Sequence, residues 1–225
     1  MQLMQSQKVI LFGIGGVGSW CAESLVRSGI QHITLVDFDT VCLTNINRQA
    51  HANNTTIGKY KTEVMRQRLL NINPNAHIEI IAREYSPRTS HEFALDSYDI
   101  VIDAIDTFYN KMHLIENATQ TQAFFISSMG AARKLNPSDI RVGDFWDINY
   151  CFLARKLRKQ LRKKISLTRS FPCVYSVEQY KSGDILVEES RTQKRINGSI
   201  AHITAIFGFF MAGEIINHLS SQFSK

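Results

Sequence analysis

Short, mostly apolar runs alternate with longer amphipathic segments along the first half of the chain. The runs are rich in β-branched residues, a composition that indicates strands buried on both faces of a sheet. They cover residues 9–12, 33–36, 78–81, 100–102 and 123–128. The segments between them have helical apolar spacing and predict helices at about 16–28, 58–72 and 110–121. This alternation predicts an α/β domain with a mostly parallel sheet flanked by helices, because parallel strands need crossover connections.

The pattern changes after the Asn-Pro dipeptide at residues 136–137. Isolated strands at 139–142 and 173–177, with a basic helix between them, replace the regular alternation. A long apolar helix at 200–219 follows. We expect these elements to form a C-terminal α+β elaboration of the sheet.

The length of 225 residues suits one sizeable core and is too short for two large domains. We therefore predict a single domain over 1–225, with a core at 1–135 and the elaboration at 136–225 carrying substrate specificity and dimerisation. The last apolar helix contains Glu214 and His218. Such polar side chains are typical of a packed helix and not of a membrane span.

The cysteines of the chain are spread without a CxxC pair, which argues against a disulfide framework and against a zinc site. They are Cys21, Cys42, Cys151 and Cys173. The N-terminal residues lack the basic and apolar blocks of a signal peptide. We therefore predict a protein of the reducing cytoplasm.

A glycine-rich turn, Gly13-Ile14-Gly15-Gly16-Val17-Gly18-Ser19, follows the first predicted strand. Glycine lets the backbone amides at the start of the next helix approach a phosphate. Asp37 follows the second strand, 24 residues after Gly13, close to where a ribose-binding acid lies in dinucleotide folds. The turn predicts a nucleotide site in a Rossmann-like fold, although tight helix packing is an alternative role for its glycines.

Three charged residues beyond the turn suit a triphosphate with magnesium. Arg48 lies in a polar loop, Lys61 in the first turn of a predicted helix, and Asp106 after the fourth strand. The cations would offset phosphate charge, and Asp106 would hold Mg²⁺ among phosphate oxygens. Asn45 would add a phosphate contact, Asp37 would bind the ribose, and Lys61 would stabilise charge that develops on the α-phosphate. We assign the catalytic role to Arg48, Lys61 and Asp106.

Five separated motifs resemble the adenylating domain shared by ThiF, MoeB, HesA and the ubiquitin-activating enzymes. They are GIGGVGS, DFDTV, TNINRQ, GKYK and DAID, in this order over roughly residues 8 to 130. The resemblance implies binding of ATP and Mg²⁺, with Asp106 as the metal ligand. It implies nucleotide contacts from Gly15, Gly16, Asp37, Asn45, Arg48, Lys61 and Asp106, and with Gly13 and Asp39 these residues form the predicted nucleotide-binding set.

Longer segments resemble one group within this family, the tRNA threonylcarbamoyladenosine dehydratases. They are GIGGVGSW, VCLTNINRQ, SSMGAARKLNPSDIRVGD, FPCVYSVE and NGSIAHITAIFGF, which extend the likeness over almost the whole chain. The resemblance implies ATP-dependent activation of the threonyl carboxylate on a modified tRNA adenosine, followed by ring closure that expels AMP. Because the attacking atom belongs to the same side chain, no catalytic cysteine is required. We also expect a homodimer and, as candidate partners, sulfur-transfer proteins.

A basic segment at 148–177 contains eight lysine and arginine residues and no acid. Apolar residues at positions 153, 157, 161 and 165 recur every four residues, so one helical face can pack while the cations project outward. With the net charge of +6, this segment favours tRNA as a partner bound through its phosphates. We assign tRNA contacts to Arg155, Arg158, Lys159, Arg162 and Lys163. A solvated basic face without a partner is the alternative.

Several residues allow two roles. Asp103 could cap a strand end or join Asp106 as a metal ligand, and Asp39 could bind nucleotide or metal or only hold its loop. Cys173 could accept sulfur, but burial as a small apolar side chain is the expected role. Family members usually carry an arginine in a helix before the first strand. Here residues 1–7 precede that strand, and Arg133 is a candidate to supply the charge.

Three other functions stay open. A related enzyme would adenylate the C-terminus of a ubiquitin-like sulfur-carrier protein. An NAD-binding oxidoreductase would use the same glycine turn, although the TNINRQ loop and Lys61 have no purpose in such an enzyme. An inactive relative would bind the nucleotide without turnover.

Overall fold

The computed structural model describes residues 2–163, 169–179 and 198–222. Within these residues, one seven-stranded sheet is surrounded by six α-helices. The strands are β1 (Lys8–Phe12), β2 (His32–Val36), β3 (His77–Ile81), β4 (Ile100–Asp103), β5 (Phe124–Ser128), β6 (Ile140–Asp144) and β7 (Pro172–Ser176). The helices are α1 (Gln2–Ser6), α2 (Gly16–Arg27), α3 (Lys61–Ile72), α4 (Phe108–Ala118), α5 (Phe152–Leu161) and α6 (Ala201–Gln222).

The strands follow the order β3-β2-β1-β4-β5-β7-β6 across the sheet. All neighbouring pairs are parallel except β6 with β7, so the predicted mostly parallel α/β fold is confirmed. Phe12 at the end of β1 pairs with Val36 of β2 and with Asp103 of β4. The carboxyl ends of these three strands therefore lie side by side, at the edge where ligands bind in such sheets.

The central strand β1 is buried on both faces because helices cover both sides of the sheet. Val9 and Leu11 belong to an apolar cluster with side chains of α2, α3 and α6. Ile10 and Phe12 belong to a second cluster with side chains of α4 and α5. Since alternate side chains of a strand point to opposite faces, two helical layers explain why this run is apolar throughout.

The C-terminal elaboration extends the same sheet. β7 runs parallel to β5, and β6 pairs antiparallel with β7 at the edge. Helix α6 packs against α2 and buries Ile203, Phe207 and Met211 completely. Among the described residues, α6 is the one helix long and apolar enough to cross a membrane, but half of its most apolar stretch is buried inside the protein. Such burial is typical of a core helix.

Some helix and strand boundaries differ from the predicted ones. Helix α4 begins at Phe108, two residues before the predicted start, and ends at Ala118. After Thr119 the backbone N–H groups of Gln120 and Thr121 donate to carbonyls three residues back, which closes the helix in a tight turn. The strand predicted at 139–142 is β6, which starts one residue later because Pro137–Asp139 forms a short 3-10 helix.

Candidate functional site

A cavity of about 1040 Å³ opens at the carboxyl ends of the parallel strands. It is lined by every residue of the predicted nucleotide set, namely Gly13, Gly15, Gly16, Asp37, Asp39, Asn45, Arg48, Lys61 and Asp106. The structure thus brings Arg48, Lys61 and Asp106 together beside the glycine turn, as the sequence predicted. Their roles in binding and catalysis stay predictions. Arg133 also lines the cavity.

The glycine turn leaves no room for side chains at two positions. Gly13 has φ +89°, and a Cβ there would lie 2.7 Å from the carbonyl oxygen of Ala104. A Cβ on Gly18 would lie 1.9 Å from the carbonyl oxygen of Gly13. Gly15 and Gly16 line the cavity where α2 begins. Because the first amides of a helix have no intrahelical acceptor, this end of α2 offers N–H groups to an anion.

The Asp37 carboxylate is fixed by backbone groups of the cavity wall. Its Oδ2 accepts from the N–H of Ile14 at 2.7 Å, and its Oδ1 accepts from the N–H of Asp39 at 2.9 Å. Burial raises the pKa of Asp37, and the positive charge of Lys61 and the two N–H groups offset part of this rise. Each carboxylate oxygen can accept a further hydrogen bond. Asp37 is therefore oriented to accept a ribose hydroxyl.

Lys61 is the first residue of α3 and points into the cavity. Its side chain is 8% exposed, and its Nζ donates to Oδ2 of Asp39 at 2.6 Å. The Lys61 N–H donates to the Asp39 carbonyl, so backbone and side chain hold the two residues together. The Asp39 side chain is 49% exposed. A buried ammonium held at a cavity wall can stabilise negative charge strongly, because little water screens it.

Arg48 is held by its own loop. Its Nη1 donates to the Thr44 carbonyl at 2.7 Å and to Oδ1 of Asn47 at 2.9 Å. The Arg48 carbonyl accepts from the Trp20 indole of α2, which anchors the loop to the helix behind the glycine turn. Asn45 is buried, and its Oδ1 accepts from a backbone N–H of the same loop. The loop therefore presents Arg48 in a fixed position.

The two acids at the end of β4 and just after it, Asp103 and Asp106, lie in different environments. Asp103 is fully buried; its Oδ2 accepts from Lys111 Nζ and from Ser127 Oγ, both at 2.7 Å, and its Oδ1 accepts from the N–H of Ile105. These contacts favour the structural role of Asp103 over the alternative role of a metal ligand. Asp106 is exposed at the cavity wall, and no side chain in the described part of the chain pairs with it.

Several other residues line the cavity for which the sequence predicted no role. Gln49 is buried, and its Oε1 has no hydrogen-bond partner among the described residues. It ends the TNINRQ motif, so the motif itself could have indicated it. Arg83, Glu84 and Asn110 also line the cavity, and Asn110 donates to Glu84 at 2.8 Å. Arg83 and Glu84 lie in the loop after β3 and Asn110 lies in α4, and no local pattern marked them.

The basic helix differs from the prediction at Arg158. Its guanidinium donates to the carbonyls of Phe145 and Ile148 at 2.7 and 2.6 Å, and it lies over the Phe145 ring. The prediction that Arg158 projects outward is wrong, because these carbonyls need a donor beneath α5. The remaining predicted contacts are exposed, namely Arg155, Lys159, Arg162 and Lys163. Leu157 and Leu161 are buried as predicted, while positions 164 and 165 lie outside the described residues.

Cys173 lies in β7 and is completely buried. Burial raises the pKa of its thiol well above the usual range. A buried, protonated thiol is a poor nucleophile, so the structure supports the expected packing role of Cys173 and not the role of a sulfur acceptor.

Three comparisons relate this chain and its fold to known proteins. The model of the ThiF family matches residues 1–224. A tRNA threonylcarbamoyladenosine dehydratase of Haemophilus influenzae is 36% identical over 226 residues, which cover 96% of this chain and 87% of that protein. The crystal structure of the Escherichia coli tRNA N6-threonylcarbamoyladenosine dehydratase TcdA in complex with ATP matches with a TM-score of 0.88 and 32% identity. That match covers 99% of this chain and 89% of the other.

The likeness to a sulfur-carrier-activating enzyme is shorter. The molybdopterin-synthase adenylyltransferase of Escherichia coli is 34% identical over 106 residues, which cover 47% of this chain and 42% of that protein. The similarity to the dehydratases therefore includes the C-terminal elaboration, and the match to this adenylyltransferase leaves more than half of the chain unmatched.

Proposed function

The chain belongs to the ThiF family, and we propose that it uses ATP to activate the threonyl carboxylate of threonylcarbamoyladenosine in tRNA and then closes that side chain into a ring. The observation that carries the proposal is the convergence of Arg48, Lys61 and Asp106 on one cavity beside the glycine turn. The match to dehydratases over almost the whole chain supports this substrate.

The proposed reaction has two displacements. A carboxylate oxygen of the substrate attacks the α-phosphorus of ATP, and pyrophosphate leaves. A nucleophilic atom of the same modified side chain then attacks the activated carbonyl carbon, and AMP leaves with the former carboxylate oxygen. The sum is loss of one water from the nucleoside, coupled to conversion of ATP into AMP and pyrophosphate. Since the second attack is intramolecular, the attacking atom has a high effective molarity and the reaction needs no nucleophile from the protein.

The side chains of the cavity supply binding and electrostatic stabilisation. The amides at the start of α2 and the guanidinium of Arg48 bind phosphate oxygens, and Asp37 accepts from the ribose. Lys61 is buried and held by Asp39, so its ammonium needs no reorganisation as charge develops on the α-phosphate.

The donor set of the cavity fits magnesium. Within the described residues, no three His, Cys, Asp or Glu side chains form a metal site of their own. Mg²⁺ commonly binds through one or two carboxylates together with substrate phosphates, and Asp106 is an exposed carboxylate at the cavity wall without a protein partner in the described part of the chain. When bound, the metal would neutralise phosphate charge and orient the leaving pyrophosphate.

Replacing Asp106 with asparagine is expected to lower magnesium-dependent AMP formation by about 100-fold or more, because the carboxylate charge is lost while the shape is kept. The thermal midpoint should not change, since Asp106 is exposed. AMP formation as a function of Mg²⁺ concentration measures the effect. Asp96→Asn, an exposed acid outside the cavity lining, is the control. Undiminished turnover of D106N would remove Asp106 from the mechanism.

The exposed cations of α5 and the residues after it are the proposed tRNA footprint. Changing Arg155, Lys159, Arg162 and Lys163 to glutamine should weaken tRNA binding and reduce the slope of log affinity against log salt by about three. The matched control removes four exposed cations elsewhere, at Lys8, Lys59, Arg66 and Arg88. If the first variant bound tRNA as tightly as the control variant does, the proposal that these four residues contact tRNA would be wrong. Arg158 is left unchanged because its guanidinium supports the fold.

The function itself is tested by incubating the protein with ATP, Mg²⁺ and tRNA that carries threonylcarbamoyladenosine. We expect AMP, pyrophosphate and a nucleoside lighter by one water in mass analysis of the tRNA digest. Pyrophosphate exchange that depends on a ubiquitin-like carrier protein and not on the modified tRNA would establish the sulfur-carrier activity instead. Binding of ATP without AMP formation would identify a non-catalytic relative. A homodimer, sulfur-transfer partners and a cytoplasmic location stay part of this proposal.

A further inference from the structure

Two aromatic side chains that the proposed mechanism does not use stand exposed in the cavity wall. Tyr150 and Phe152 are 69% and 70% exposed, which with Tyr109 makes them the most exposed aromatic residues in the described ranges. Both line the cavity, whereas Tyr109 does not. Large apolar side chains held in water at a cavity are typical of a surface that a ligand covers.

The backbone holds Tyr150 in an unfavourable conformation. Its φ of +63° lies in the left-handed region, where a bulky side chain is rare and glycine or asparagine would be less strained. The preceding segment is anchored because Arg158 donates to the carbonyl of Ile148 at 2.6 Å. Helix α5 begins directly afterwards at Phe152. A strained residue whose surroundings determine its position is a reason to look for a function.

Cations accompany the aromatic pair. The guanidinium of Arg155 lies 5.5 Å from the centre of the Phe152 ring, and the exposed Lys156 and Lys159 follow on the same helix. Aromatic faces next to exposed cations are the combination by which proteins bind unpaired nucleotides, because bases stack on the rings and phosphates contact the cations. A paired RNA offers phosphates but no free base face.

From this juxtaposition we infer that Tyr150 and Phe152 form a stacking platform for unpaired bases next to the modified adenosine. The inference rests on the proposed function, since the threonyl carboxylate must enter the cavity to reach the nucleotide phosphates. The neighbouring nucleotides of the same strand then stay at the cavity wall, where the aromatic pair is exposed. Cations of α5 bind the backbone of the strand, and the platform selects single-stranded RNA over duplex RNA.

The platform is tested by measuring how tightly the protein binds a fluorescently labelled RNA hairpin that carries threonylcarbamoyladenosine in its loop. Tyr150→Leu and Phe152→Leu keep apolar volume but remove the π-face, and each should weaken hairpin binding about tenfold. Tyr150→Phe and Phe152→Tyr keep an aromatic ring and should bind as the unsubstituted protein does. Tyr109→Leu, equally exposed but outside the cavity lining, is the position control. A fully paired RNA of the same length should bind all variants alike.

Hairpin affinity that is unchanged in the double variant Tyr150→Leu/Phe152→Leu would overturn the inference. A rise in the KM for ATP without a loss of hairpin affinity would also overturn it, because the rings would then stack on the nucleotide. An equal loss for duplex and hairpin would assign the effect to the shape of α5 and not to stacking. A failure of the proposed function would be distinguishable from these outcomes. In that case the unsubstituted protein would bind the hairpin but would neither form AMP nor remove water from the modified nucleoside.

Discussion

Replacing Lys61 with methionine is expected to slow AMP formation about 100- to 1000-fold while ATP still binds. The Lys61 ammonium is buried at the cavity wall and is held 2.6 Å from Asp39. Its charge is therefore preorganised for a transition state in which negative charge grows on the α-phosphate, and a poorly screened charge has a large effect there. Methionine keeps the unbranched stem, and water can solvate the half-exposed Asp39 carboxylate that is left behind. Single-turnover AMP formation and calorimetric ATP binding together measure the effect.

The control for this prediction is Lys59→Met, two residues earlier and exposed outside the cavity lining. Its AMP formation should equal that of the unsubstituted protein. If K61M formed AMP within a few-fold of the normal rate, Lys61 would have no role in the displacement. If the variant lost ATP binding to the same extent as its rate, Lys61 would act on the bound ground state and not selectively on the transition state.

Replacing Lys111 with methionine is expected to lower the free energy of unfolding by about 3 to 5 kcal/mol. Lys111 and Asp103 are both completely buried, and their charges are 2.7 Å apart. Removing the ammonium leaves a carboxylate in the core with Ser127 and the N–H of Ile105 as its remaining donors. An uncompensated buried charge costs far more than a lost surface ion pair. Urea unfolding at neutral pH measures the difference.

A second variant separates the charge from the packing. Asp103→Asn combined with Lys111→Met removes both charges, while the asparagine side-chain oxygen can still accept from the N–H of Ile105. We expect this double variant to recover most of the lost stability. Lys159→Met, an exposed lysine on α5, should change stability by less than about 0.5 kcal/mol. A K111M protein as stable as the K159M protein would show that Lys111 does not compensate a buried charge on Asp103.

The buried pair also connects the core to the site. Asp103 ends β4, and the next residue, Ala104, donates its N–H to the Phe12 carbonyl and lies against Gly13. Asp106 follows two residues later at the cavity wall. The pair therefore positions the loop that carries the proposed metal ligand, so K111M should also raise the Mg²⁺ concentration needed for AMP formation.

Much of the fold was predictable because its signals are local. Continuous apolar runs marked the central strands, and helical spacing between them indicated parallel crossovers. The boundaries were less predictable, since α4 ends in a tight turn in which the N–H groups of Gln120 and Thr121 donate to carbonyls three residues back. The pairing of β6 with β7 was not predicted, because helix α5 separates the two strands along the chain and no local pattern pairs them.

The sequence by itself determined the α/β class and the residues that meet at one cavity, because motifs after parallel strands converge at the carboxyl edge of the sheet. Only the tertiary structure decided which charged residues face that cavity. Arg158 was predicted to project outward, but it binds carbonyls beneath α5. The sequence left two roles open for Asp103, and in the structure it pairs with Lys111 in the core. Tyr150, in contrast, stands exposed in the cavity wall. The physical reason is that burial and pairing depend on contacts between distant segments, which a local pattern does not contain.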